Sequence, residues 1–297
     1  MASSTLTTVF LPLALAVVMF GLGLSLTVAD FARVARVPKA ALLALAVQLL
    51  VLPAIALGLV LLFALPPELA VGTMLLAASP GGATANVFSH LAGGDVALNV
   101  SLTAVNSVLA VVTLPIVVNL SIAGFLSAES SLGLQPAKAL QVFALVLVPV
   151  VIGMAVNHRF PRFGGVARKP VKVLSLVVLA VLVLGAVFAD RANVGTYLRQ
   201  IGVVVVLLCL LSLALGYLVP RLAGVPEPQA IASSFEIGIH NSTLAITIAL
   251  SPALLDSTAM AIPAAVYGAS MFIPAALLAV WFNRRTARSA AGHAPSG

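Results

Sequence analysis

Ser79-Pro80-Gly81-Gly82-Ala83-Thr84-Ala85-Asn86 falls in the middle of an apolar run that extends from about residue 67 to 91. A run of this length crosses a hydrocarbon core about 30 Å thick as a single helix. Proline removes a backbone donor and two adjacent glycines weaken the helix further, so this run is expected to open at mid-membrane depth. Opened backbone survives there only where it lines a cavity or is buried in protein, and it then offers amides and carbonyls to a ligand. Pro53, Pro115, Pro149 and Pro274 stand alone in other apolar runs and read as ordinary kinks.

A second stretch, Ser233-Ser234-Phe235-Glu236-Ile237-Gly238-Ile239-His240-Asn241-Ser242-Thr243, is the most polar segment inside any apolar run. Glu236 is the one acidic residue read as deep in the membrane, where a charge costs about 3 kcal/mol on insertion scales. No Lys or Arg lies at matching depth to pair with it. A bound metal cation, a retained proton or a water-filled cavity would each satisfy the carboxyl group. The density of oxygen-bearing side chains favours the cation, because a hard ion takes oxygen ligands. Asn99, Thr103 and Asn106 recur at i, i+4 and i+7 and so share one helix face. Asn106 reads rather as an interhelical hydrogen bond, a use common for Asn in membranes, with a site role as the alternative, and Gln48, alone in the second run, carries the same two readings.

The surrounding composition makes the setting a bilayer. The chain has 297 residues, of which 62% are hydrophobic and 8% charged, whereas soluble domains carry about a quarter charged residues. Nine spans are expected, at about 7 to 28, 40 to 63, 67 to 91, 95 to 122, 137 to 157, 171 to 190, 200 to 220, 227 to 250 and 258 to 282. Long apolar runs without alternation choose helices over a barrel. No Lys or Arg precedes Arg33, so the first run reads as a retained helix. Cys209 is the only cysteine, which excludes an intramolecular disulfide.

The net charge of +7 resides in short clusters between the runs, a distribution unlike a nucleic-acid surface. Twelve of the 15 basic residues fall on alternate connections, from Arg33, Arg36 and Lys39 through the cluster between Arg159 and Lys172 to Arg221, Arg284, Arg285 and Arg288. The positive-inside rule then predicts an outside N-terminus and a cytoplasmic C-terminus in the cell (inner) membrane, with residues 283–297 as a basic tail. No obligate protein partner is evident.

Dividing the nine spans into four and five aligns the interrupted third span with the interrupted eighth, each penultimate in its half and opposite in direction. Corresponding broken helices in inverted halves point to the substrate and ion sites of a secondary transporter. Nine spans then form an inverted repeat whose first half lacks its first helix. An intramembrane hydrolase is disfavoured, since Glu236 has no acidic partner and His240 sits on broken backbone. The chain therefore reads as a carrier and not as an enzyme.

The segments Ser79 to Val87 and Phe235 to Leu244, continued by Gly94-Asp95-Val96-Ala97-Leu98 and Thr103, closely resemble the signatures of the bile acid:sodium symporter family. Similarity runs from about Phe10 to Phe282. The resemblance implies one all-α transporter domain over residues 1–297, with two interrupted helices crossing near the midplane. A panel (7–28, 137–157, 171–190) would pack on a core (40–122, 200–282). It also implies two sodium sites. The first uses Asn86, Asn99, Thr103 and Glu236, with Ala85 where relatives often have Ser. The second uses Gln48, Glu236, carbonyls of Ile237 and Ile239, and His240 where many relatives have Gln.

Imidazole offers nitrogen where a hard ion prefers oxygen and binds a proton near neutral pH. The expectation is coupling to one sodium ion alone, or uptake that weakens as His240 protonates. Half-helix N-termini after the breaks attract a carboxylate, which makes Thr84 and Asn241 the expected substrate contacts. The predicted function is import of a small organic anion, such as a bile acid or another carboxylate, with Na+ by alternating access. A proton-coupled or uncoupled carrier keeps the same fold. Metalloid efflux is disfavoured, with Cys209 outside both interrupted spans. Tyr267, Met271 and Phe272 either line the cavity or are lipid-facing or packing residues.

Overall fold

The computed structural model describes residues 12–291 apart from 14–15, 18, 22, 83, 127–135, 190–193 and 252–253. The expected start of the first span at residues 7–11 and the end of the tail at 292–297 lie outside the described residues. The described residues are almost entirely helical and include no β-strand. Described residues between 12 and 25 are helical, followed by α1 (Val28–Val34), α2 (Pro38–Ala46), a π turn (Val47–Val51), α3 (Leu52–Leu62), α4 (Pro67–Ala78) and α5 (Ala85–Leu91). Then come α6 (Val96–Phe125), α7 (Pro136–Arg159), α8 (Pro161–Ala189) and α9 (Val194–Leu222). The chain finishes with α10 (Glu227–Gly238), α11 (Ser242–Leu250), α12 (Thr258–Ser270) and α13 (Phe272–Ala291).

Four helical stretches among the described residues are apolar and long enough to cross a membrane: Pro38–Leu62, Val96–Phe125, Leu198–Leu222 and Thr258–Arg285. At 1.5 Å per residue the shortest of these, 25 residues, reaches about 38 Å. Two further apolar runs divide as expected, into α4 with α5 and α10 with α11. The halves of this arrangement start alike. Pro66 caps α4 with φ −51° and ψ 143°, and Pro226 caps α10 with φ −52° and ψ 144°; each helix is 12 residues long and carries a glutamate in its first turn.

Several boundaries differ from the sequence reading, each for a local reason. The first span does not run straight to residue 28. It breaks at Leu26 and Thr27, because Asp30 accepts hydrogen bonds from both the Thr27 N–H (2.7 Å) and its hydroxyl (2.8 Å) and so starts a new helix. Arg33 closes on Asp30 at 3.2 Å and reaches the Ala97 carbonyl at 3.4 Å, which ties α1 to α6. The basic connection before the sixth span is itself helical, since Pro161 supplies a preset φ at the first position of α8. In the ninth span, Pro274 has no N–H for the Ser270 carbonyl, and the helix turns at Met271 before resuming. It then continues to Ala291, so the first part of the expected tail is helix.

Glycines set how closely the helices approach. A Cβ on Gly153 would sit 2.8 Å from the Leu24 nitrogen, and one on Gly23 would strike the backbone of Val150. A Cβ on Gly72 would strike Met260 in the same way. Small residues permit this backbone contact, which supplies the packing attraction between helices in lipid. Gly153→Leu is accordingly expected to lower stability by about 1 to 3 kcal/mol or more, seen as reduced yield and an earlier melting transition in detergent. Gly124→Leu, where a Cβ meets nothing within 4 Å, serves as the tolerated control.

Candidate functional site

The two interruptions meet each other. Ser79 leaves α4 in an extended conformation (φ −72°, ψ 145°), as expected for a residue before proline. Ile239 leaves α10 extended as well (φ −115°, ψ 93°). The extended pieces pair as an isolated antiparallel bridge at Gly81 and His240. Within it the Gly82 N–H donates to the Ile239 carbonyl at 2.6 Å, and the Asn241 N–H donates to Pro80 at 2.9 Å. Backbone opened within the span thus finds partners in the opposite break, as the absence of water demands.

Glu236 lies in the last turn of α10 beside this bridge and has no solvent exposure. A Cβ on Gly81 would fall within its carboxylate, so the carboxylate rests on bare backbone and accepts the Gly81 N–H. Thr103 Oγ1 lies 2.5 Å from Oε2 and 3.0 Å from the Asn99 carbonyl, and its single proton belongs to the nearer carboxylate. Asn106 Nδ2 donates to Oε1 at 3.2 Å. Among the described residues Glu236 forms no ion pair. Neutral donors surround a buried acid, with no positive charge against it.

The amides nearby point their nitrogens into the protein. Asn99 Nδ2 donates to Ala232 at 2.7 Å, and Gln48 Nε2 donates to Ser79 at 3.0 Å. Their oxygens, with those of Asn86 and Asn106, are buried without a hydrogen-bond partner. An unsatisfied buried acceptor costs about 1 to 3 kcal/mol. Four such oxygens, on the π turn, α5 and α6, are left without a partner, and oxygen is what a hard cation takes as ligand. Of the expected first set, Thr103 and Glu236 are in contact, the Asn99 side chain turns its nitrogen to Ala232, and Asn86 lies on α5 with its oxygen orphaned. Ala85 is fully buried and offers no side-chain oxygen.

Gln48 sits in the π turn, which forms just before Pro53. Proline cannot donate to the Leu49 carbonyl, and the widened turn absorbs that defect. His240 also reaches the Ser79 carbonyl, with Nδ1 at 3.2 Å. One carbonyl therefore receives both side chains, which assigns the proton to Nδ1 and leaves Nε2 without a partner. Its ring stands edge-on to Tyr267 at 5.2 Å, and the Tyr267 hydroxyl donates to the Gly238 carbonyl at 2.8 Å. Ile237 and Ile239 lie where carbonyls leave the helical ladder, and the Ile239 carbonyl already accepts Gly82.

Thr84 and Asn241 occupy the starts of α5 and α11, on opposite sides of the bridge. Thr84 is partly exposed and makes no capping bond with its side chain. Asn241 Oδ1 caps α11 by accepting the Leu244 N–H at 3.1 Å, so its oxygen is committed to structure. Ala83 lies outside the described residues. Tyr267 and Met271 are buried, and Phe272 stacks on Phe88 with centroids 6.1 Å apart. These three pack within the protein. Asn106, which the sequence left between a structural and a site role, belongs to the carboxylate's shell. Its signal was the face it shares with Asn99 and Thr103.

Comparison with known proteins identifies relatives of the whole chain. Residues 12–197 match the sequence model of the Sodium Bile acid symporter family. An uncharacterized sodium-dependent transporter, YocS, from Bacillus subtilis is 28% identical over 284 residues, covering 95% of this chain and 86% of that protein. A probable sodium/metabolite cotransporter of rice chloroplasts, BASS2, is 27% identical over 267 residues; the match takes in 90% of this chain and 62% of the rice protein, so the chain spans less than two thirds of that relative. The human ileal sodium/bile acid cotransporter is 28% identical over 240 residues, 80% of this chain and 68% of that protein. All three names describe transporters, not enzymes.

Proposed function

Because this chain belongs to the Sodium Bile acid symporter family, we propose that it imports a small organic anion with sodium, and that both bind where the two interrupted helices cross. The observation that carries this reading is Glu236, fully buried, held by neutral donors and adjoined by amide oxygens that lack partners. Asn86, Asn99, Thr103 and Glu236 would hold the first sodium ion. Asn106 fixes the carboxylate.

Gln48, Glu236, His240 and the carbonyls of Ile237 and Ile239 would compose the second site. There His240 Nδ1 and Gln48 Nε2 are spent on Ser79, leaving one amide oxygen and one imidazole nitrogen. Nitrogen is a poor ligand for a hard ion, so coupling to a single sodium ion is the reading favoured. A Hill slope near one for sodium in uptake assays is expected. A slope near two would restore the second site.

The anion would approach the N-termini of α5 and α11, where the half-helix dipoles are positive. Thr84 contributes its hydroxyl and Asn241 its amide nitrogen, the oxygen being engaged. Relatives named for bile acid and metabolite transport support an organic anion as cargo. The matching starts of α4 and α10 support an inverted repeat of nine spans, with the panel and core divided as the resemblance implies and alternating access between them. The basic connections support a cytoplasmic C-terminus in the cell membrane.

A tenfold sodium gradient supplies about 1.4 kcal/mol per ion, and 100 mV supplies about 2.3 kcal/mol per charge. One sodium with a monoanion is electroneutral and draws on the first term alone; two would draw about 5 kcal/mol. Sodium-dependent thermal stabilisation of the purified protein tests the ion. A melting transition that rises with NaCl and not with KCl is expected, and equal effects of the two salts would favour proton coupling or no coupling.

A further inference from the structure

The corner between α7 and α8 takes no part in the ion and anion sites proposed above. Only Phe160 separates the two helices. A groove of about 630 Å³ opens there, and its apolar walls include Leu26, Val28, Val151, Met154 and Gly165. That volume lies within the range of small-molecule pockets, roughly 300 to 1,000 Å³. A second hollow of about 540 Å³ shares Pro161 with it and is lined by Arg159, Phe160, Arg162 and Phe163.

The chemistry of the two hollows is complementary to one kind of molecule. Arg159 lies over the Phe160 ring at 5.9 Å. Among the described residues neither Arg159 nor Arg162 meets a carboxylate. No acidic residue occurs between Glu129 and Asp190, although Arg168, Lys169 and Lys172 follow closely in sequence. Phe160 and Phe163 are 59% and 57% exposed and Val28 is 73% exposed, as suits aromatic and aliphatic groups at the edge of a bilayer. The positive-inside rule accounts for arginines at this end of the helices. It requires neither exposed phenylalanines between them nor an apolar groove beside them.

We propose that this corner binds one anionic phospholipid, its phosphate held by Arg159 and Arg162 and an acyl chain laid in the groove against Val151 and Met154. The guanidinium groups suit a phosphate through paired N–H donors. The groove is formed by the break at Leu26 and Thr27 with the start of α1, by α7 and by α8, so an occupied site bridges these elements.

The test is thermal stability of the full chain in detergent, titrated with phosphatidylglycerol, with phosphatidylcholine of the same acyl chains, or with inorganic phosphate. Phosphatidylglycerol is expected to raise the melting transition well beyond the other two. Arg159→Gln and Arg162→Gln are each expected to weaken that response about fivefold in lipid concentration, whereas Arg284→Gln leaves it unchanged. Gly165→Trp fills the groove from a position where a Cβ meets nothing within 4 Å. It is expected to blunt the lipid response and leave sodium-induced stabilisation intact. Equal effects of the two lipids, a full effect of phosphate alone, or loss equal to Arg159→Gln in Arg284→Gln would overturn the proposal. A parent protein that runs as a dimer and a Gly165→Trp variant that runs as a monomer would instead assign the groove to a second copy of the chain.

Discussion

Gly81→Ala is expected to weaken sodium-dependent uptake about tenfold to hundredfold in sodium concentration, in a protein that still inserts and can be purified. The added Cβ would occupy the space of the Glu236 carboxyl group, so either the carboxylate or the bridge at Gly81 and His240 must move. Displacing the carboxylate lengthens its contacts with Thr103 and Asn106; displacing the bridge breaks the bonds from Gly82 to Ile239 and from Asn241 to Pro80. Overpacking of this kind costs about 1 to 3 kcal/mol, and a full loss at the ion site corresponds to a tenfold to hundredfold weaker sodium response. The concentration of sodium giving half-maximal thermal stabilisation reads this directly. Parent-like affinity in Gly81→Ala would mean that the carboxylate does not need its place on the glycine backbone.

Glu236→Gln separates the ion from the fold. The amide keeps the size of the acid and one acceptor oxygen, but it removes a buried charge that has no basic partner among the described residues. In sodium-free buffer the variant should therefore melt no earlier than the parent, and later if the lost charge outweighs the altered hydrogen bonds. In sodium it should gain nothing. Breaking a buried charge pair typically costs about 3 to 5 kcal/mol, which is more than a hundredfold in sodium affinity. Uptake of any organic anion should fall to the sodium-free background. A variant that melts early in both buffers would assign Glu236 a structural role instead.

The two interruptions were readable because the residues that break a helix are few and carry their effect locally: Pro80 with Gly81 and Gly82, and the polar run from Glu236 to Thr243. That these breaks pair as antiparallel backbone was not readable, since the bonds from Gly82 and Asn241 join residues about 160 positions apart. Asn99, Thr103 and Asn106 declared a common face through their spacing. Which of the three would touch the carboxylate depended on the packing of α6 against α10, and Asn106 proved to be in its shell. The start of α1 was legible in principle, because Thr27 and Asp30 have the spacing of a capping box; the apolar run masked it. The helices around residues 161 and 283 extend beyond the apolar runs, because a helix continues through charged residues once it leaves the hydrocarbon. Asn241 shows the same limit at the level of a side chain. Its position after the break suggested a ligand, and its oxygen is occupied by the N-terminus of the helix it starts.

The most direct measurement is uptake by the parent protein in reconstituted liposomes, using a panel of radiolabelled organic acids under an inward sodium gradient and under an equal potassium gradient. At least one anion is predicted to accumulate transiently above equilibrium with sodium and not with potassium, and to collapse when a sodium ionophore removes the gradient. Uptake that proceeds equally in both salts, or that no gradient drives above equilibrium for any acid, would contradict sodium-coupled transport at the helix crossing.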